Sequence, residues 1–211
     1  MTDIKITGHI KSFKASFLEN KFFFLCLIIL TAGMLVGALA VNFLNAEYFQ
    51  FIKEWFLSFF KFRSTAGFSK VFFNIFLSGM AYFLIVLLSS LGLTGVITLP
   101  IVVFFKGFSS CLLSGFLYRE YSLTGIAFAD LILLPSVIST SFLLIYISAE
   151  AVSVSFSFLD ILKDVSSRGI TVRPLMLKFL RKFLIILLIF IVFSTIEAIF
   201  SVSFTHYFSF N

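Results

Sequence analysis

Charge is the scarcest property of this chain: Asp, Glu, Lys and Arg together make up 12% of its 211 residues. A soluble domain of this length needs a polar exterior, and so few charges leave its long apolar runs nowhere to go once one core is filled. Histidine is nearly missing as well. His9 and His206 stand alone near the ends, so neither a catalytic pair nor a metal cage can be assembled around them. No HExxH, GxSxG or GKS/T pattern occurs, which removes the usual zinc, serine-hydrolase and phosphate-loop chemistries. Neither a cofactor nor an enzymatic activity is expected. The two cysteines, Cys26 and Cys111, fall toward opposite ends of their apolar runs and read as small buried residues, not as a bridge. Strict alternation of apolar and polar residues is lacking, which excludes a transmembrane β-barrel.

What is present is apolar: 60% of the residues are hydrophobic, 33 are phenylalanine, and the mean hydropathy is +1.12. A bilayer core about 30 Å thick is crossed by roughly 20 apolar residues in a helix, and windows of that length recur along the chain. They predict spans near 22–41, 71–91, 94–117, 135–159 and 182–204. In hydrocarbon a helix satisfies its own backbone, so the expected fold is an all-α polytopic bundle of about five transmembrane helices in one domain. The first run follows a lysine-bearing stretch but is longer than a signal-peptide core, and is read as a retained span. Residues 9–20 set lysines among Ile10, Phe13 and Phe17, a pattern for a helix lying on the inner membrane face.

Lys and Arg set the orientation, because cytoplasmic loops retain them. Lys5, Lys11, Lys14 and Lys21 precede the first span, and six more basic residues, from Lys163 to Lys182, lie between the fourth and fifth. Lys53, Lys61, Arg63, Lys70 and Arg119 fall on the other side. The excess puts the N-terminus in the cytoplasm and, with five spans, the C-terminus outside. The formal net charge of +6 then reflects this bias and attraction to anionic lipid; nothing points to nucleic acid.

Two segments depart from simple spans. In residues 43–62, Glu47, Gln50, Glu54, Ser58 and Lys61 make a polar stripe at helical spacing on an otherwise apolar surface, which predicts an amphipathic helix in the outer interface with Tyr48 and Trp55 near the headgroups. It either covers the outer mouth of the bundle or docks a partner. Residues 122–159 are too long for one span. The expectation is a re-entrant half-helix over 122–134, ended by Pro135 acting as a hinge, followed by a full span; if both halves cross, there are six spans and the C-terminus lies inside.

Within the spans lie Lys106, Asp130, Glu150 and Glu197. A charge at mid-membrane costs about 2.5–3.5 kcal/mol, so all four are expected to face inward, with Lys106 paired to one of the three acids. Gly107, Cys111 and Gly115 form a small-residue ridge beside Lys106, and Gly33 and Gly37 make a GxxxG in the first span. Both are surfaces for close helix approach, within the chain or in a homo-oligomer.

GMLVGALAVN at the end of the first span, the Lys106-Gly107 pair followed by GFLY, the Gly125 to Pro135 segment ending in LLP, and Ile196-Glu197-Ala198 resemble, in order and spacing, the stage II sporulation protein M family. The resemblance covers nearly the whole chain. It implies a non-enzymatic membrane scaffold that assembles membrane-anchored peptidoglycan hydrolases at the septum for engulfment. Other relatives sit in gene clusters for circular bacteriocins, which implies, as the alternative, the membrane subunit of an exporter or maturation system working with an ABC ATPase, residues 160–174 being the segment the ATPase would push.

Overall fold

The computed structural model describes residues 21–92, 94–163, 172–208 and 210. The lysine-bearing stretch before residue 21 and most of the 160–174 segment lie outside the described residues.

Six α-helices carry the fold among the described residues: α1 Lys21–Ala40, α2 Ala46–Thr65, α3 Phe68–Ser90, α4 Gly95–Phe128, α5 Leu134–Lys163 and α6 Val172–Phe204. Among the described residues there is no strand. Four helical stretches among the described residues are long and apolar enough to cross a membrane: Lys21–Phe43, Phe68–Ser90, Gly95–Phe158 and Pro174–Tyr207. Large aliphatic side chains such as Ile28, Leu35, Leu77, Leu88 and Leu188 are exposed along them. The chain is therefore a multi-pass, all-α membrane protein, its exterior apolar because lipid is its solvent.

The third stretch, 64 residues, would reach about 96 Å as a straight helix. It doubles back at Ser122, whose φ of 47° and ψ of −125° are sterically unfavourable for a side chain. Tyr118 Oη donates to Asp130 Oδ1 at 2.9 Å, although twelve residues of helix would separate the two by about 18 Å. A Cβ on Gly125 would stand 2.0 Å from the Leu117 carbonyl, so only glycine allows the returning helix to start so close. Because Ser122 holds a glycine-type conformation, Ser122→Gly should raise thermal stability in detergent by about 0.5–1 kcal/mol. A lowered unfolding temperature would count against a strained reversal.

The chain thus turns at Ser122, not at Pro135. Through Pro135 the helix continues, because Ala129–Leu133 forms a π turn in which the Leu134 N–H reaches back to Ala129 O. Proline lacks an N–H and collides with the carbonyl four residues earlier. The wider turn just ahead of it absorbs the misfit, and the expected half-helix becomes the last turns of α4 and the π turn, continuous with α5. Two more boundaries move outward: α4 runs past Leu117, and α6 starts at Val172 instead of Lys182.

Helices α1 and α4 run parallel and in backbone contact. A Cβ on Gly33 would lie 2.3 Å from Phe104 O, one on Gly37 2.3 Å from Phe108 O, and one on Gly107 2.4 Å from Leu30 O. The GxxxG of α1 and the small-residue ridge of α4 are two halves of one interface inside the chain. Gly115 meets the Val41 side chain at 2.9 Å, again by its virtual Cβ; Cys111, between them in the ridge, is half-buried and, like Cys26, a free thiol. Helix α3 packs antiparallel on α6, with the Phe190 ring against Gly79 and Val71 and Ile75 clustered with Ala198. Helix α5 lies between the two pairs. Its Ser141, Ser148 and Ser155 are buried at intervals of one heptad, and Ser155 Oγ would be 2.2 Å from a Cβ on Gly95.

Helix α2 closes the end of the bundle at which α1 stops. Phe56 is fully buried among the rings of Phe116, Tyr121, Phe128 and Phe210, at 5.2 to 6.3 Å. That cluster accounts for much of the phenylalanine at this end. Lys53 bonds Glu120, and hydrogen bonding to that carboxylate raises the Lys53 amine above its ordinary pKa. Arg119 donates to Val41 O at 2.7 Å, occupying a carbonyl left open just past the end of α1. The polar stripe of Glu47, Gln50, Glu54, Ser58 and Lys61 stays exposed. The aromatic remainder divides: Phe49, Ile52 and Phe56 face the bundle, whereas Tyr48, Phe51 and Trp55 are exposed.

Candidate functional site: a charged cavity inside the bundle

Beneath α2 lies a cavity of about 420 Å³ between α3, α4, α5 and α6. The packing scheme produces it. Helix α4 is drawn onto α1 by glycines and α3 onto α6 by Phe190, so α3 and α4, joined by the short turn at 91–94, are held apart across a gap beyond that turn.

The charged groups lining the cavity are Arg63 from α2, Lys106 from α4 and Glu197 from α6. Arg63 is 5% exposed, and its Nη2 donates to Glu197 Oε1 at 3.0 Å. A second donation to Ser201 Oγ is 3.4 Å long, and the guanidinium lies 4.4 Å from the centre of the Phe59 ring. The other oxygen of Glu197 accepts from Ser136 Oγ. The Arg63 Nε–H is buried without an acceptor among the described residues. This pair fastens α2 to α6 and α5.

Lys106 sits 11 residues into α4, a rise of about 17 Å and close to the middle of a bilayer core. The expected pair between Lys106 and one of the three acids is not formed among the described residues. Each acid has gone elsewhere: Glu197 to Arg63, Glu150 to Lys182, and Asp130 to the hydroxyl of Tyr118. Among the described residues Lys106 has no ion-pair partner; its ammonium lies 5.2 Å from the centre of the Tyr82 ring, a contact that softens but does not neutralise a charge. Ser109 and Ser110 donate to the Lys106 carbonyl at 3.2 and 2.8 Å, and Thr140 donates to Ser136 O at 2.8 Å. Their protons are used within their own helices, so toward the cavity they offer lone pairs.

The structure therefore brings together two of the four expected intramembrane charges, Lys106 and Glu197. Asp130 is exposed at the reversal, and the Glu150–Lys182 pair, about one third exposed, lies outside the cavity. Sequence reasoning missed Arg63 by assigning it to a loop. A signal existed: Arg63 stands seven residues after the buried Phe56 and so shares its face of α2. Among the described residues no group of three His, Cys, Asp or Glu side chains is placed to hold a metal ion.

Fold and site together define a multi-pass helical membrane protein with a charged, partly polar interior. No protein family, curated protein or solved structure matches the chain in comparison.

Proposed function

We propose that this protein is a non-enzymatic, solute-handling membrane subunit, the interior component of an export or maturation system that draws its energy from a partner such as an ABC ATPase. The observation that carries this reading is a lysine, without an ion-pair partner among the described residues, facing a 420 Å³ cavity at mid-bundle. A lysine that only fixed helix register would be matched to a carboxylate, because burying an uncompensated ammonium is costly. The reading includes five crossings, α1, α3, the two arms that meet at Ser122, and α6, in a bacterial cell membrane with a cytoplasmic N-terminus and α2 in the outer interface. A scaffold for peptidoglycan hydrolases, the other role implied by resemblance, would need free helix faces. The small-residue faces proposed for it are used between α1 and α4, and the deepest side chains of α2 are used in covering the bundle.

A cysteine at position 106 tests this in the full chain. In a Cys26→Ser, Cys111→Ser background, Lys106→Cys should react with a charged, membrane-impermeant thiol reagent at least roughly tenfold faster than Val103→Cys, a fully buried position one turn away, because a cavity of this size with charged and hydroxyl groups in its wall holds about a dozen waters. Equal, negligible rates at both positions would remove the wet cavity and leave the scaffold role standing.

A further inference from the structure

The cavity opens sideways. Asn74 and Ser78 of α3 and Ser109 of α4 line it and are exposed, so its lips lie on the two helices held apart, where the bilayer would be. Polar side chains on a lipid-facing rim are unusual, since each loses hydrogen bonds to hydrocarbon. Behind them the wall is mixed: Ile75, Leu112, Leu113 and Val137 are apolar, whereas Lys106 and Thr140 are not. Two cations and one carboxylate line the cavity, and that carboxylate is engaged by Arg63 and Ser136. One positive charge is left over in a volume that falls within the range of small-molecule sites.

We infer that this cavity binds an amphiphile carrying one anionic head group, a carboxylate or a phosphate, with the head at Lys106 and the apolar body leaving between α3 and α4. The inference rests on the solute-handling reading and names its substrate class. A monoanion brings the lining to formal neutrality and supplies the acceptor that the Lys106 ammonium lacks. The buried Nε–H of Arg63 is a further donor in the same wall that a head-group oxygen can engage. An apolar tail needs no polar path out, which a lateral opening onto lipid provides. A free anion such as inorganic phosphate would satisfy Lys106 as well but would leave the apolar wall wet, and it would have to come from water instead of the bilayer.

The probe is radiolabelled oleate, offered to the full-length protein in phosphatidylcholine nanodiscs. Wild type should bind one oleate saturably. Lys106→Gln should weaken binding by at least roughly tenfold and Lys106→Arg by no more than about threefold, because charge-assisted bonds are among the strong ones. Ser109→Phe, which fills the exposed lip and leaves every charge in place, should also weaken binding and serves if Lys106→Gln does not fold. Dioleoyl phosphatidylglycerol in the disc should displace oleate, whereas acetate and inorganic phosphate should require far higher concentrations. Displacement by the small anions as readily as by the lipid overturns the amphiphile in favour of a soluble anion, and binding unchanged in Lys106→Gln and Ser109→Phe, or no saturable binding, overturns it outright. If Lys106→Cys is water-reactive while oleate does not bind, the wet cavity stands and only the amphiphile is lost; if position 106 is unreactive as well, both readings fall.

Discussion

Glu197→Ala is expected to destabilise the folded protein by about 3–5 kcal/mol, the usual result of removing one partner of a buried ion pair. The reason lies in what stays behind. Arg63, 5% exposed, would retain one 3.4 Å contact to a serine hydroxyl and no anion, and a guanidinium cannot shed its proton. Its escape is to pull the C-terminal turns of α2 off the bundle, so protease cleavage within α2 should accelerate along with the fall in unfolding temperature. Arg63→Met should be milder, because the Glu197 carboxylate keeps its bond to Ser136 and still shares the cavity with the Lys106 ammonium. The double variant Arg63→Met, Glu197→Leu should recover most of the loss, since both charges leave together. If the double variant instead costs as much as the two single variants added together, Arg63 and Glu197 are not energetically coupled and α2 is held by its aromatic contacts alone.

Enlarging the glycines between α1 and α4 should give the next largest effects, in an order set by what each new methyl group meets. At Gly33, Gly37 and Gly107 it meets a backbone carbonyl at 2.3 to 2.4 Å, which no rotamer change relieves, so alanine should cost about 2–3 kcal/mol at each position and leucine should prevent assembly. At Gly115 the obstacle is the Val41 side chain, at 2.9 Å, and about 1 kcal/mol should suffice. Gly67, with open space around it, should accept serine without loss. Denaturation in mixed micelles measures the series. Were Gly33→Leu to abolish a dimer while leaving each chain folded, the GxxxG would be a contact between copies, and the packing of α1 on α4 would have to be abandoned.

The ridge at Gly107 and Gly115 and the motif at Gly33 and Gly37 were each legible alone, because small residues four apart on an apolar helix have one common use. That they serve one another was not legible. The pairing depends on α1 and α4 being parallel neighbours, and that depends on α3 alone crossing between them while α2 stays at the end of the bundle. The polar stripe of α2 was legible for a similar reason: water selects it position by position. The division of the remaining face into a half that packs inward and an exposed half was not, since phenylalanine suits both. Pro135 misled because its local rule is strong, and a π turn five residues long satisfied that rule while the chain reversed at Ser122, where a positive φ is held by a residue other than glycine.

The sequence by itself determined the solvent. So little charge and such long apolar runs leave a helical bundle in lipid as the folded form, because each helix can close its own backbone hydrogen bonds without help from any other. Only the tertiary structure decided which charges meet. Arg63 and Glu197 are 134 residues apart, and their pairing, with Lys106 left alone before a cavity, follows from which helices the glycines and the Phe190 ring draw together. Contact between distant helices is a property of the whole packing, and no local pattern in the chain records it.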